Sequence, residues 1–178
     1  MAAVSARLDF LLKAQSRIMG AMDSDPTLLP FFDPQGVVLI GASQDPTKLG
    51  FGLARNLIQS DYRGAVHFVN PGGGTLLERP VYKKVTEVPD PVDLAVILIP
   101  APYVPQALAE CGERGIRAAI ISAGGFRETG EHGAILEAAC LEVAHEHGMR
   151  LIGPNCIGML DTHPVSYTHL TLPTKRIV

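Results

Sequence analysis

The groups in this chain best placed for chemistry are backbone amides rather than side chains. Val37 to Ile40 is a short, apolar, β-branched run. Gly41-Ala42-Ser43 follows it, and after Gln44-Asp45-Pro46-Thr47-Lys48 a helical pattern runs from Leu49 to Gln59. Strand, loop, helix is the order in which α/β folds hold phosphate, because the first N–H groups of a helix lack partners and its dipole turns positive there. Gly41, Gly50 and Gly52 keep side chains out of the way, and Lys48 adds a point charge to the loop. Eight residues separate Gly41 from Gly50, too many for G-x-G-x-x-G, and no Gly-Lys-Ser/Thr follows the glycines. The stretch therefore suggests a phosphate-bearing ligand with a longer anchor than NAD uses. A glycine-rich turn that only packs strand on helix stays open as the alternative.

Side chains offer less. Of the six histidines, His145 and His147 flank Glu146 at a helix end, where cationic groups oppose the dipole; His67 falls in a strand and His132 opens a helix, neither with an acid partner. Cys111, Cys140 and Cys156 are widely spaced without a C-x-x-C pair, so neither a disulfide framework nor a zinc site is expected. No catalytic residue and no metal ligand stands out.

The elements that position the glycine loop follow from the apolar pattern. Strand-like runs at Val37–Ile40, Val66–Val69, near Val81–Val85, Leu94–Ile99, Arg117–Ser122 and Arg150–Ile152 alternate with helical patterns at Leu49–Gln59, Tyr103–Arg114 and Glu131–His147. Continuous rather than alternating hydrophobicity implies strands covered on both faces. The expected fold is α/β, a doubly wound, mainly parallel Rossmann-like sheet with helices on both faces. Residues 2–20 suggest an amphipathic helix, and the prolines at 26, 30 and 34 an extended lead-in.

Composition bounds the rest. With 178 residues, 47% of them hydrophobic, the chain suits one domain with a proper core; the net charge of -3 without a basic run argues against nucleic acid. No apolar run approaches the roughly eighteen residues of a spanning helix. With reduced thiols as well, a soluble cytoplasmic protein is expected.

In such a fold ligands meet the residues just after each strand. Here these are Gly41-Ala42-Ser43, Asn70-Pro71 with Gly72-Gly73-Gly74, Pro100-Ala101-Pro102, Ser122-Ala123-Gly124-Gly125, and Gly153-Pro154-Asn155-Cys156, all small or backbone-restricted. In NAD enzymes an Asp or Glu about twenty residues past the glycine loop grips the ribose; here Asn70 occupies that place, which disfavours a nicotinamide cofactor and leaves an NADP-like ligand with an extra phosphate open.

Val38-Leu39-Ile40-Gly41-Ala42-Ser43, Val69-Asn70-Pro71, Val92-Asp93-Leu94-Ala95-Val96, Ser122-Ala123-Gly124-Gly125-Phe126 with Glu128-Thr129-Gly130, and Gly153-Pro154-Asn155-Cys156-Ile157-Gly158 form an ordered set. This set resembles the CoA-binding domain of NDP-forming acyl-CoA synthetases, such as ADP-forming acetate-CoA ligase, and is similar to the succinyl-CoA synthetase α subunit. The resemblance implies a domain over residues 31–164, preceded by a helix and lead-in over 1–30. It implies that Gly41, Ala42, Ser43, Lys48 and Gly50 line a phosphate loop and that Asn70 and Pro71 border the nucleotide. Pro100, Ala101 and Pro102 would wall the adenine or pantetheine side. Ser122, Ala123 and Gly124 would lie near the reactive end, with the thiol emerging at Asn155. Because coenzyme A brings its own sulfur, Cys156 is expected to be packed rather than reactive.

In the family the acid becomes an acyl phosphate, coenzyme A attacks it, and the phosphoryl group reaches NDP through a phosphohistidine. ATP, ADP and Mg would enter only through succinyl-CoA-synthetase-like and ATP-grasp domains that follow this one. Residues 165–178 depart from the family pattern and are expected to be a non-native or disordered tail on a fragment. Relatives commonly place a lysine after the proline of strand two or two residues later, where its charge can reach a CoA phosphate, whereas this chain has Gly72-Gly73-Gly74; an amide nest is one substitute. The same domain also opens some protein lysine acetyltransferases, and a regulatory module responsive to CoA or NAD(H) is a third possibility.

Overall fold

A computed structural model describes residues 25–60 and 62–158; the expectations for residues 2–20 and 165–178 lie outside the described residues. In chain order the elements are α1 (Leu29–Phe32), β1 (Gly36–Ile40), α2 (Leu49–Gln59), β2 (Ala65–Val69), β3 (Thr75–Leu76), β4 (Arg79–Tyr82), β5 (Leu94–Ile97), α3 (Val104–Arg114), β6 (Ala118–Ile121), α4 (Glu131–Glu146) and β7 (Arg150–Ile152). Seven strands form one sheet in the order β3-β4-β2-β1-β5-β6-β7. Every pair is parallel except β3 with β4.

The doubly wound architecture follows from period-two alternation within fully apolar strands. All five residues of β1 are buried. Val38 and Ile40 face one core with Ala95, Ile97, Val104 and Leu108 of α3, and Cys140 and Ala144 of α4. Val37 and Leu39 face the other, with Phe68, Leu94, Val96, Leu53 and Leu57 of α2, and Phe31 of α1. Neither face meets solvent, so no polar alternation survives in the sequence.

The register brings the strand ends level. Ile40 lies opposite Val69 and Ile97, Ile97 opposite Ile121, and Val69 opposite Tyr82. Because β1 pairs with β2 on one side and β5 on the other, the chain reverses its direction of winding there. That switch point opens a crevice beyond the end of β1. At the opposite end, the Asp93 carboxylate accepts the Gln35 and Gly36 amides at 3.1 and 3.0 Å, fixing where β1 and β5 begin.

Three local expectations change. The lead-in is helical rather than extended: Asp25 caps a 3-10 turn over Pro26–Leu28, and α1 follows. Pro26 and Pro30 stand in first turns, where a missing N–H costs nothing. The run expected to reach Ile99 leaves the ladder after Ile97, although the Leu98 amide still donates to the Ile40 carbonyl at 2.8 Å. The run near Val81–Val85 divides into β4 and a 3-10 turn at Val85–Glu87. β4 also pairs with the two-residue β3 through a tight turn in which Leu77 and Glu78 both have positive φ. Asn-Gly is the usual pair for such a turn, so Leu-Glu hides it. Among the described residues no helix is long and apolar enough to cross a membrane.

Candidate functional site

The loop after β1 is folded by its own short side chains. Gly41, at φ +98°, sits where a Cβ would stand 2.6 Å from the Leu98 carbonyl oxygen. Gly50 lets the first turn of α2 rest on the loop, since a Cβ there would lie 2.2 Å from the Gly41 oxygen. Ser43 Oγ accepts the Asp45 amide at 3.1 Å, so its own hydroxyl hydrogen stays available. Asp45 Oδ1 accepts the amide and hydroxyl of Thr47 at 2.9 and 2.7 Å. Those bonds, the amide first, hold the Asp45 carboxyl below its ordinary value. Lys48 is the exposed N-cap of α2, in extended backbone and without a side-chain cap bond. No side chain caps the Leu49 and Gly50 amides, whereas the Phe51 and Gly52 amides donate to the Lys48 carbonyl at 3.1 and 3.3 Å; open amides at a helix start suit an anion.

Asn70 joins this loop to the one after β2. Its Nδ2 donates to the Ala42 carbonyl at 2.7 Å, and its Oδ1 accepts the Gly72 amide at 2.9 Å. Its backbone carbonyl accepts the Gly73 amide at 2.9 Å. Pro71 is exposed beside it. Two of the three glycine amides are therefore already spent, and a nest made from the run as a whole is ruled out. The two loops also approach at their tips, where a Cβ on Gly74 would lie 2.8 Å from Gln44 Nε2.

On the other side of the crevice, Pro100 and Pro102 are exposed while Ala101 is buried. A Cβ on Gly125 would stand 3.2 Å from the Ala101 side chain, so Ala101 packs under the loop after β6. Ala42 is buried as well. The Ser122 amide donates to the Ile97 carbonyl at 3.0 Å, and the Asn155 amide to the Ala123 carbonyl at 3.0 Å. Asn155, at φ +55°, takes the left-handed backbone that Asn tolerates better than most residues. Gly124 separates the Glu128 carboxylate from the Asn155 carboxamide: a Cβ there would meet Glu128 Oε1 at 3.3 Å and Asn155 Oδ1 at 3.5 Å.

Two residues reach this rim without standing among the sequence candidates. Glu128 Oε1 accepts the Gly125 amide at 2.6 Å, and that bond, with further amides of the same turn, draws its carboxyl below the ordinary glutamate value. Its signal was the Glu128-Thr129-Gly130 triplet, which carried no role of its own. Lys83 follows β4 directly and lies along Gly73. Placing a strand across Val81–Val85 hid it, because that puts Lys83 inside the sheet instead of at its end.

The thiols are packed. Burial pushes Cys111 up to about 12 and Cys140 up to about 11. The half-buried Cys156 Sγ donates to the Ile121 carbonyl at 3.4 Å. Among the described residues no cluster of His, Cys, Asp or Glu could hold a metal ion. Among the described residues the site is a shelf of amides, small residues and a few cations, suited to gripping an extended anionic ligand.

The family profile described as "CoA binding domain" matches residues 35–162. The chain is 44% identical over 147 residues to the α subunit of ADP-forming acetate-CoA ligase II from Pyrococcus furiosus, covering 82% of this chain and 32% of that one. It is 43% identical over 137 residues to ADP-forming acetate-CoA ligase II from Archaeoglobus fulgidus, covering 77% and 20%. A solved structure of the dinucleotide-forming acetyl-coenzyme A synthetase 1 of Ca. Korarchaeum cryptofilum superposes with a TM-score of 0.70 at 38% identity, over 74% of this chain and 28% of that one. The chain thus spans about a third or less of the relatives it matches.

Proposed function

The chain belongs to the CoA-binding domain family, and from that premise we propose that it is the coenzyme A-holding module of an ADP-forming acyl-CoA ligase of the acetate-CoA ligase type. The observation that carries this is the shelf at the switch point: a self-folded loop, uncapped helix amides and Lys48, all beyond the end of β1. Coenzyme A joins an adenosine bearing a 3′-phosphate to a diphosphate and a long pantetheine arm. It therefore needs a phosphate anchor plus a groove walled by small residues. In this proposal Gly41, Ser43, Lys48 and Gly50 hold the diphosphate and Pro100 and Pro102 flank the arm. Ser122, Gly124 and Asn155 border the end where the thiol emerges.

The commitment of Asn70 supports coenzyme A over NAD. A carboxamide oriented by Ala42 and Gly72 lacks the pair of carboxylate acceptors with which an acidic residue grips a ribose diol. Thioester formation would be completed by succinyl-CoA-synthetase-like and ATP-grasp domains, which bring ATP, ADP and Mg. The role of this chain is to bind and orient the thiol, in keeping with the packed state of its own cysteines.

Calorimetric titration of the 178-residue chain with coenzyme A, dephospho-CoA, NAD and NADH tests the proposal. Coenzyme A should bind tightest, and Lys48→Ala should weaken it by about 1–3 kcal/mol, the scale of a charge-assisted hydrogen bond. Equal affinity for coenzyme A and NAD would overturn the proposal. Tight NADH binding without coenzyme A binding would replace it with a regulatory module.

A further inference from the structure

Coenzyme A differs from its dephospho form by one dianionic group on the ribose, and the shelf has few free cations to meet it. Beyond the strand ends stand Lys48, Lys83, Lys84 and Arg127. Arg127 is paired with Glu137 at 3.1 Å, whereas no ion pair involves the three lysines among the described residues. Lys48 belongs to the α2 terminus, on the β1 side of the crevice. In Rossmann-like sheets the end of the second strand is where the ribose is met. There the chain has only Asn70, Pro71 and three glycines, and Asn70 Oδ1 and its backbone carbonyl already take the Gly72 and Gly73 amides.

Lys83 supplies what this corner lacks. β4 is parallel to β2, with Tyr82 opposite Val69, so the residue after β4 emerges at the same rim as the residue after β2. The Lys83 stem lies flat against Gly73: a Cβ on that glycine would stand 3.3 Å from Lys83 Cγ and 3.2 Å from Cε. The absence of a side chain at Gly73 is what lets the lysine lie across the loop and bring its ammonium, one bond past Cε, to the second-strand corner. Glu87 accepts the Lys83 backbone amide at 3.1 Å, fixing the backbone from which the stem departs. Lys84, the next residue, is the N-cap of the 3-10 turn at Val85–Glu87 and serves as the neighbouring control.

We propose that Lys83 is the cation that receives the ribose 3′-phosphate of coenzyme A. The assignment rests on the coenzyme A proposal above and adds the residue that separates coenzyme A from dephospho-CoA.

The test compares the ratio of dephospho-CoA to coenzyme A dissociation constants in the unsubstituted chain, Lys83→Met, Lys83→Arg and Lys84→Met. A ratio cancels any general loss of folding. The unsubstituted chain should favour coenzyme A roughly ten-fold, the scale of one charged hydrogen bond. Lys83→Met should bring the ratio close to one by weakening coenzyme A alone, while Lys83→Arg and Lys84→Met keep the preference. An unchanged ratio in Lys83→Met, or no preference in the unsubstituted chain, overturns the Lys83 assignment and leaves coenzyme A binding standing. Failure of the unsubstituted chain to bind coenzyme A overturns both.

Discussion

Asn70 shows how one carboxamide can tie together two loops of a site. It donates to the loop after β1 and accepts from the loop after β2, both in partly buried or turn backbone. Asn70→Ala leaves the Ala42 carbonyl and the Gly72 amide without those partners, at a cost of about 1–3 kcal/mol. Urea unfolding should show that loss, and coenzyme A titration a parallel one as both loops loosen. Asn70→Asp should not rescue it, because a carboxylate would face the Ala42 oxygen with no proton to give. Glu128 acts similarly across the crevice. Its folded carboxyl is drawn down by the Gly125 amide. The contribution is therefore present above the ordinary glutamate value and disappears as pH falls through the depressed one. Hydrogen exchange at Gly125 should accelerate through that acid window, and Glu128→Gln should flatten the change.

At the scale of elements, the β3–β4 hairpin is the least regular feature and sets where Lys83 begins. Leu77 and Glu78 take left-handed backbone at φ +49° and +64°. An L-residue pays about 1–2 kcal/mol for such a conformation, and glycine does not. Glu78→Gly should accordingly stabilise the chain by about 1 kcal/mol, read as a raised denaturant midpoint. Leu77 is less replaceable, because its side chain packs on the core shared with α2. Helix α4 contrasts with the others: it buries Gly133, Cys140 and Ala144 while Ile135 and Leu141 stay exposed. The glycine is required there, since a Cβ at Gly133 would lie 1.8 Å from the Phe126 oxygen.

For the whole molecule, the sheet places level strand ends beside a switch point, where Ser43, Asp45, Asn70 and Glu128 hold the loops with side-chain hydrogen bonds. Most of that was legible in the chain itself. The runs at Val37–Ile40 and Leu94–Ile97 declare buried parallel strands, because only a strand covered on both faces is apolar at every position. Leu49–Gln59 is bounded as a helix by its periodicity and the loop before it, and the glycines mark where backbone must come close. Tertiary structure decided which side chains reach which corner. The carboxamide of Asn70 is consumed by a residue 28 positions away, Ala101 is covered by a later loop, and Lys83 lies along Gly73. Local pattern reports burial and turns, since those depend on neighbours in sequence. Contacts across the crevice depend on strand pairing and register, which exist only once the sheet has formed.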